Sequence, residues 1–213
     1  MRTKILLLIA ISISVALISN AQITAGRYLL GGSFNYYSAT NESNKSFYSN
    51  IQIGKAIKDN TVVGITSSYA SNNYYYSTPS QNKTRQYSIG VFYRKYKALA
   101  NNFYFFGELD ASYQYSKNVQ EYFTNVSQNL NTKSNGLAVN FIPGISYSVW
   151  KRMQMELSMP NIAYLTFSHI ATINGSLPPS TPSQKRDAFS VNTNLNSNLL
   201  SNFGIGFKFI LGK

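Results

Sequence analysis

The sequence predicts an all-β protein, an eight-stranded antiparallel up-and-down transmembrane β-barrel. Three observations predict it. Large apolar residues alternate with small or polar ones at a period of two, in one segment after another. Each segment reaches about ten residues, the length a tilted strand needs to cross a bilayer. Short and long connections alternate, so a meander would gather all short turns at one end and all long loops at the other. A soluble sandwich has no reason to sort its loops this way.

The chain of 213 residues opens on a stretch that is not part of the barrel. Arg2 and Lys4 precede the apolar run Ile5 to Ile18, and Ser19, Asn20 and Ala21 form a small-residue cleavage pattern. Residues 1–21 therefore read as a signal peptide, and residues 22–213 as one barrel domain. Removing Arg2 and Lys4 from the 19 basic residues leaves 17 against 7 acidic ones, a net charge of +10. There is no Cys, which argues against a disulfide-stapled secreted module.

Eight strands follow. The first, Arg27 to Tyr37, carries Tyr28, Leu30, Phe34 and Tyr36 on one face. The second, Phe47 to Ile57, sets Ile51, Ile53 and Ile57 against Asn50, Gln52 and Gly54. The third, Thr61 to Ala70, sets Val63, Ile65 and Tyr69 against Gly64, Thr66 and Ser68. The fourth, Arg85 to Tyr96, sets Tyr87, Ile89, Val91 and Tyr93 against Ser88, Gly90 and Arg94. The fifth, Phe103 to Tyr115, sets Phe105, Leu109 and Tyr113 against Glu108, Asp110 and Gln114. The sixth, Asn135 to Val149, sets Leu137, Val139, Phe141 and Ile145 against Asn140, Gly144 and Ser146. The seventh runs from Met153 to about Phe167, with a bulge or strand end expected at Pro160, because proline lacks an amide donor. Pro143 raises the same expectation in the sixth. The eighth ends at Leu211 and sets Ile205, Phe207 and Phe209 against Gly204, Gly206 and Lys208. Long polar loops are expected at Ser38–Ser46, Ser71–Thr84, Ser116–Ser134 and Ser168 to about Asn196.

In hydrocarbon an unpaired backbone amide costs several kcal/mol, so the first strand must pair with the last. Eight strands leave an interior just wide enough for side chains to fill. The inward parity places Arg94, Glu108, Asp110, Glu156 and Lys208 there. Arg94 is expected to pair with Glu108 or Asp110, and Glu156 with Lys208, because buried charges need partners. A gate or ion path is one reading of these five; a polar plug holding the wall is the reading that barrel size favours. Tyr36, Phe47, Tyr69, Tyr87, Tyr113 and Tyr115 gather toward the long-loop end, and Tyr28, Tyr93, Phe103, Tyr147, Trp150 and Phe209 toward the other. Two such bands suit the interfaces of a membrane.

The signal peptide, the eight amphipathic strands, the long alternate loops and the ending Gly204-Ile205-Gly206-Phe207-Lys208-Phe209 resemble the small outer-membrane β-barrel proteins of Gram-negative bacteria. This is the group of the outer membrane protein A transmembrane domain and outer membrane protein X. The Asn-, Ser- and Tyr-rich composition resembles porin-family members from the Bacteroidetes. The resemblance implies a bacterial outer-membrane location, contact with outer-membrane lipid and lipopolysaccharide, and the last strand as signal to the barrel-assembly machinery. It implies a monomer at the cell surface. Here Ile210 to Lys213 follow Phe209, where family members commonly end on an aromatic residue.

No enzyme constellation stands out, and no catalytic residue, metal ligand or cofactor is expected. His169 is the only His, which excludes a multi-His site. Adjacent strand residues face opposite ways, so Ser168 and His169 cannot act together in a strand; a loop-base position is expected for His169. Lys45, Lys83, Arg85, Lys117, Lys133, Lys185 and Arg186 lie in or beside the long loops. They read either as a solvated scatter or as a surface for lipopolysaccharide phosphates or acidic polysaccharide. Nucleic acid is not expected as a partner of an exported barrel. The reading is a non-enzymatic barrel with a structural or surface-interaction role; the alternatives are a narrow pore for small solutes or ions, and a lipid-modifying enzyme. No particular extracellular ligand follows from the sequence.

Overall fold

The computed structural model describes residues 23–39, 44–76, 80–100, 102–122, 130–159, 162–174, 184–193 and 204–212. The expected signal peptide lies outside the described residues. The described residues form ten strands: β1 Tyr28–Ala39, β2 Asn44–Lys58, β3 Thr61–Tyr76, β4 Ser80–Ala100, β5 Phe103–Tyr122, β6 Leu130–Trp150, β7 Met153–Ser158, β8 Ala163–Asn174, β9 Gln184–Thr193 and β10 Gly204–Leu211. Neighbours pair antiparallel, and eight of them close a ring in the order β1-β2-β3-β4-β5-β6-β7-β10. The closing ladder runs from Tyr28 opposite Leu211 to Gly32 opposite Phe207.

The expected seventh strand is split into β7 and β8, while the expected eighth is β10, its expected start lying outside the described residues. β7 ends at Ser158, just before Pro160, which itself lies outside the described residues. β6 then takes a second partner on the same edge: β7 along Gly144 to Trp150, and β8 along Leu130 to Phe141. Much of the expected last loop is therefore the β8–β9 hairpin. Pro143 does not interrupt β6. A proline gives up only a donor, and its carbonyl still accepts the Met159 amide at 2.9 Å.

The other expected loops are shortened because their flanks continue as strands. β4, β5 and β6 have 21, 20 and 21 residues. That is roughly twice what hydrocarbon requires, so these strands project beyond it. The polar stretches paired there, such as Lys83 to Gln86 with Ser116 to Val119, keep their ladder without an apolar face. By contrast β1 and β10 have 12 and 8 residues. Among the described residues the wall is taller on the β4–β6 side than at the β1–β10 seam.

The expected parity holds around the ring. Ile51, Ile65, Ile89, Leu109, Leu137 and Ile205 are exposed on the outside, while Gln52, Arg94, Glu108, Glu156 and Lys208 are buried within. In hydrocarbon those outer side chains are favourable, and in water they would be a costly apolar band. Tyr69 stacks on Tyr87 with ring centroids 5.0 Å apart, and on Phe47 at 6.2 Å. Phe103 and Tyr147 meet at 4.7 Å near the short turns. Among the described residues no helix is long and apolar enough to span a membrane.

Candidate functional site

The lumen has three layers. The lowest, beside the short turns, is apolar: Leu29, Val62, Phe92, Tyr96, Phe106 and Ile210 are buried there together. The period-two reading expects polar groups on this face, and these residues correct it. Near the short turns the inward face packs an apolar core instead. Gly54 and Gly64 oppose each other across β2 and β3 and give the Phe92 ring its space. A Cβ on Gly64 would lie 2.7 Å from that ring. The incoming chain adds Ile23, whose carbonyl accepts the Asn60 amide at 2.8 Å. Asn60 holds φ 57° in the β2–β3 turn, a conformation asparagine tolerates.

The middle layer is a charged network on this floor. Arg94 Nε donates to Glu108 Oε2 at 2.6 Å, and Nη1 donates to Glu156 Oε1 at 2.7 Å. Its guanidinium lies 4.4 Å from the centre of the Phe106 ring, which joins the two layers. Gln52 bridges the network: its amide donates to Glu108 Oε1 at 2.8 Å, and its oxygen accepts from Lys208 and from Arg94 at 3.2 Å. Tyr96 accepts from Arg94 Nη1 at 3.0 Å and donates to Glu156 at 3.2 Å. Lys208 Nζ stands 3.9 Å from Glu156 Oε2, an ion pair without a hydrogen bond. Arg94, Glu108 and Glu156 are 3 %, 1 % and 4 % exposed. Two cations and two carboxylates thus meet with most of their polar atoms satisfied, as burial demands.

Of the five inward charges named from the sequence, four join this network. Asp110 does not pair with Arg94. It faces the layer above, where the Asn140 amide donates to it at 3.4 Å. Sequence reading left out Gln52 and Tyr96 as network members. Their signal was available, because both share the inward parity of their strands. A buried group of a different kind sits beside the floor. Ser146, Ser148 and Gln154 carry buried side-chain atoms without a hydrogen-bond partner among the described residues.

The top layer is a cavity of about 770 Å³, lined by Tyr48, Asn50, Ser68, Gln86, Ser88 and Gln114 among others. The packed polar interior expected from barrel size therefore holds for the middle layer only; above it the lumen is a cup.

His169 lies in β8 rather than at a loop base, since pairing with β6 and β9 continues past it. Its Nδ1 is 2.7 Å from Asp187 Oδ1 on the outer wall. Among the described residues no group of His, Cys, Asp and Glu forms a metal-binding cluster.

No protein-family model matches this sequence, and no curated relative matches it. Solved structures do. A major outer membrane protein from Thermus thermophilus superposes with a TM-score of 0.52 at 8% identity, covering 88% of this chain and 100% of that one. Neisserial surface protein A gives 0.42 at 18% identity, covering 87% and 97%. Ail, the attachment invasion locus protein of Yersinia pestis, gives 0.40 at 11% identity, covering 88% and 100%. The first of these carries the comparison of fold. The chain has the fold of the outer-membrane β-barrel proteins, with the apolar outer band that a membrane-embedded barrel requires.

Proposed function

We propose that this is a non-enzymatic outer-membrane barrel that seals its own lumen and works from its extracellular side. The carrying observation is the floor: the Arg94–Glu108–Glu156 network resting on Phe106, Phe92 and Val62. A solute path through it would have to break buried ion pairs and an apolar core at once. This disfavours the narrow pore. The lipid-modifying enzyme is disfavoured by the surroundings of His169. On its face the strand neighbours are Asn135, Phe167, Ala171 and Asp187, with no serine, threonine or cysteine for the imidazole to activate, and Ser168 points the other way.

The surface role belongs to the parts of β3 to β6 that rise above the membrane, including Tyr74 and Tyr75 opposite Asn82 and Gln81. Partners of this reading are outer-membrane lipid, lipopolysaccharide and, during insertion, the barrel-assembly machinery acting on β10; the barrel is a monomer. The Asn-, Ser- and Tyr-rich composition supports a member of the Bacteroidetes type. Two assays test the proposal. A cysteine placed at Tyr74 or Tyr75, both exposed, should react with a membrane-impermeant maleimide on intact cells. Vesicles carrying the protein should not swell in small sugars. Unreactive cysteines, or swelling above empty vesicles, would overturn it.

A further inference from the structure

The register brings together three cations that are far apart in sequence. Arg85 of β4 lies opposite Lys117 of β5, and Lys117 lies opposite Lys133 of β6. All three are exposed and share the outward parity of Tyr87, Tyr115 and Asn135, which form the row two residues nearer the short turns. Beyond Lys133 the row passes through Ala171 of β8 to Lys185 of β9. Opposed side chains in such a row have Cβ atoms about 5 Å apart, and like charges at that spacing are destabilising.

Among the described residues no carboxylate is paired with Arg85, Lys117 or Lys133. Of the chain's acidic residues, Glu108, Asp110 and Glu156 are inside the barrel and Asp59 is at the β2–β3 turn. Glu121 holds Lys83 at 3.1 Å, and Asp187 holds His169 at 2.7 Å. Glu42 lies outside the described residues. The row stands one step above the Tyr69–Tyr87 stack, in the band where ring faces give way to headgroups. It is therefore at the depth of lipid phosphates in the outer leaflet.

We propose that Arg85, Lys117 and Lys133 form a binding ledge for a phosphorylated lipid headgroup. Arg85 supplies a planar fork for two phosphate oxygens, and the two lysines supply point charges. A headgroup with two phosphates spans the row and relieves its repulsion. This rests on the surface reading above and deepens it by assigning the lipid contact to phosphate groups and to three aligned residues, and its test does not depend on whether the lumen conducts.

The test uses the full barrel in phosphatidylcholine vesicles, either plain or doped with diphosphoryl or dephosphorylated lipid A. The midpoint of heat-induced loss of the folded gel band is read in each. The midpoint should rise with the diphosphoryl lipid and not with the dephosphorylated one. The triple variant R85Q/K117Q/K133Q should lose that rise while folding normally in plain vesicles. Each single variant should bind roughly fivefold more weakly. A fourth arm adds inorganic phosphate to plain vesicles. A response there without one to the diphosphoryl lipid would overturn the lipid source. An equal rise in the triple variant would overturn the ledge itself. Should the triple variant fold poorly, Lys117→Gln alone decides on the same criterion.

Discussion

Arg94 and Glu108 face each other across β4 and β5 with 2.6 Å between guanidinium and carboxylate, and both are almost wholly buried. Removing one partner strands the other. Glu108→Ala should therefore cost about 3–5 kcal/mol of stability, the usual penalty for an orphaned buried charge. Urea unfolding of the barrel in lipid vesicles measures it. A loss below about 1 kcal/mol, the level of an exposed pair, would show that the network does not hold the wall.

Leu109 is the next residue along and points the other way, into lipid. Leu109→Arg should cost about 2–4 kcal/mol if it lies near the midplane. Ser88→Arg, directed into the cup, should cost clearly less. Equal costs would mean that the two faces have been exchanged.

Gln154 is fully buried, and neither polar atom of its amide has a partner among the described residues. Such groups cost about 1–3 kcal/mol each. Gln154→Leu, of similar size, should raise the urea midpoint. A lowered midpoint would show that the amide is satisfied after all.

A Cβ on Gly64 would sit 2.5 Å from the Gly54 Cα and 2.2 Å from the Ile53 carbonyl oxygen. Gly64→Val should therefore destabilise by about 1–3 kcal/mol, as overpacking does. Gly107→Val meets only the edge of Phe141, at 3.4 Å, and should be milder. The pair of melts in vesicles checks the order, and its reversal would contradict the packing of Phe92.

The alternation of residues such as Ile51, Gln52 and Ile53 carried the parity of the whole ring, because hydrocarbon outside and a narrow lumen inside reward it directly. The upper strands escaped notice for the same reason. Around Asn118 and Thr132 neither face is greasy, yet backbone pairing continues. Leu29, Val62, Phe106 and Ile210 broke the inward rule because the floor is a core, and alternation alone does not mark where a lumen stops being wet. The cationic ledge was hidden differently. Arg85, Lys117 and Lys133 look scattered along the chain, and only the register set by the turns, including the irregularity at Ala98 and Ala100, aligns them.

Single-channel recording in planar bilayers bears most directly on the sealed lumen. The unaltered barrel should insert without steady conductance, and Arg94→Ala combined with Phe106→Ala, which removes both floor layers, should open measurable current. A steady, salt-dependent conductance from the unaltered protein, unchanged by those two substitutions, would contradict the account.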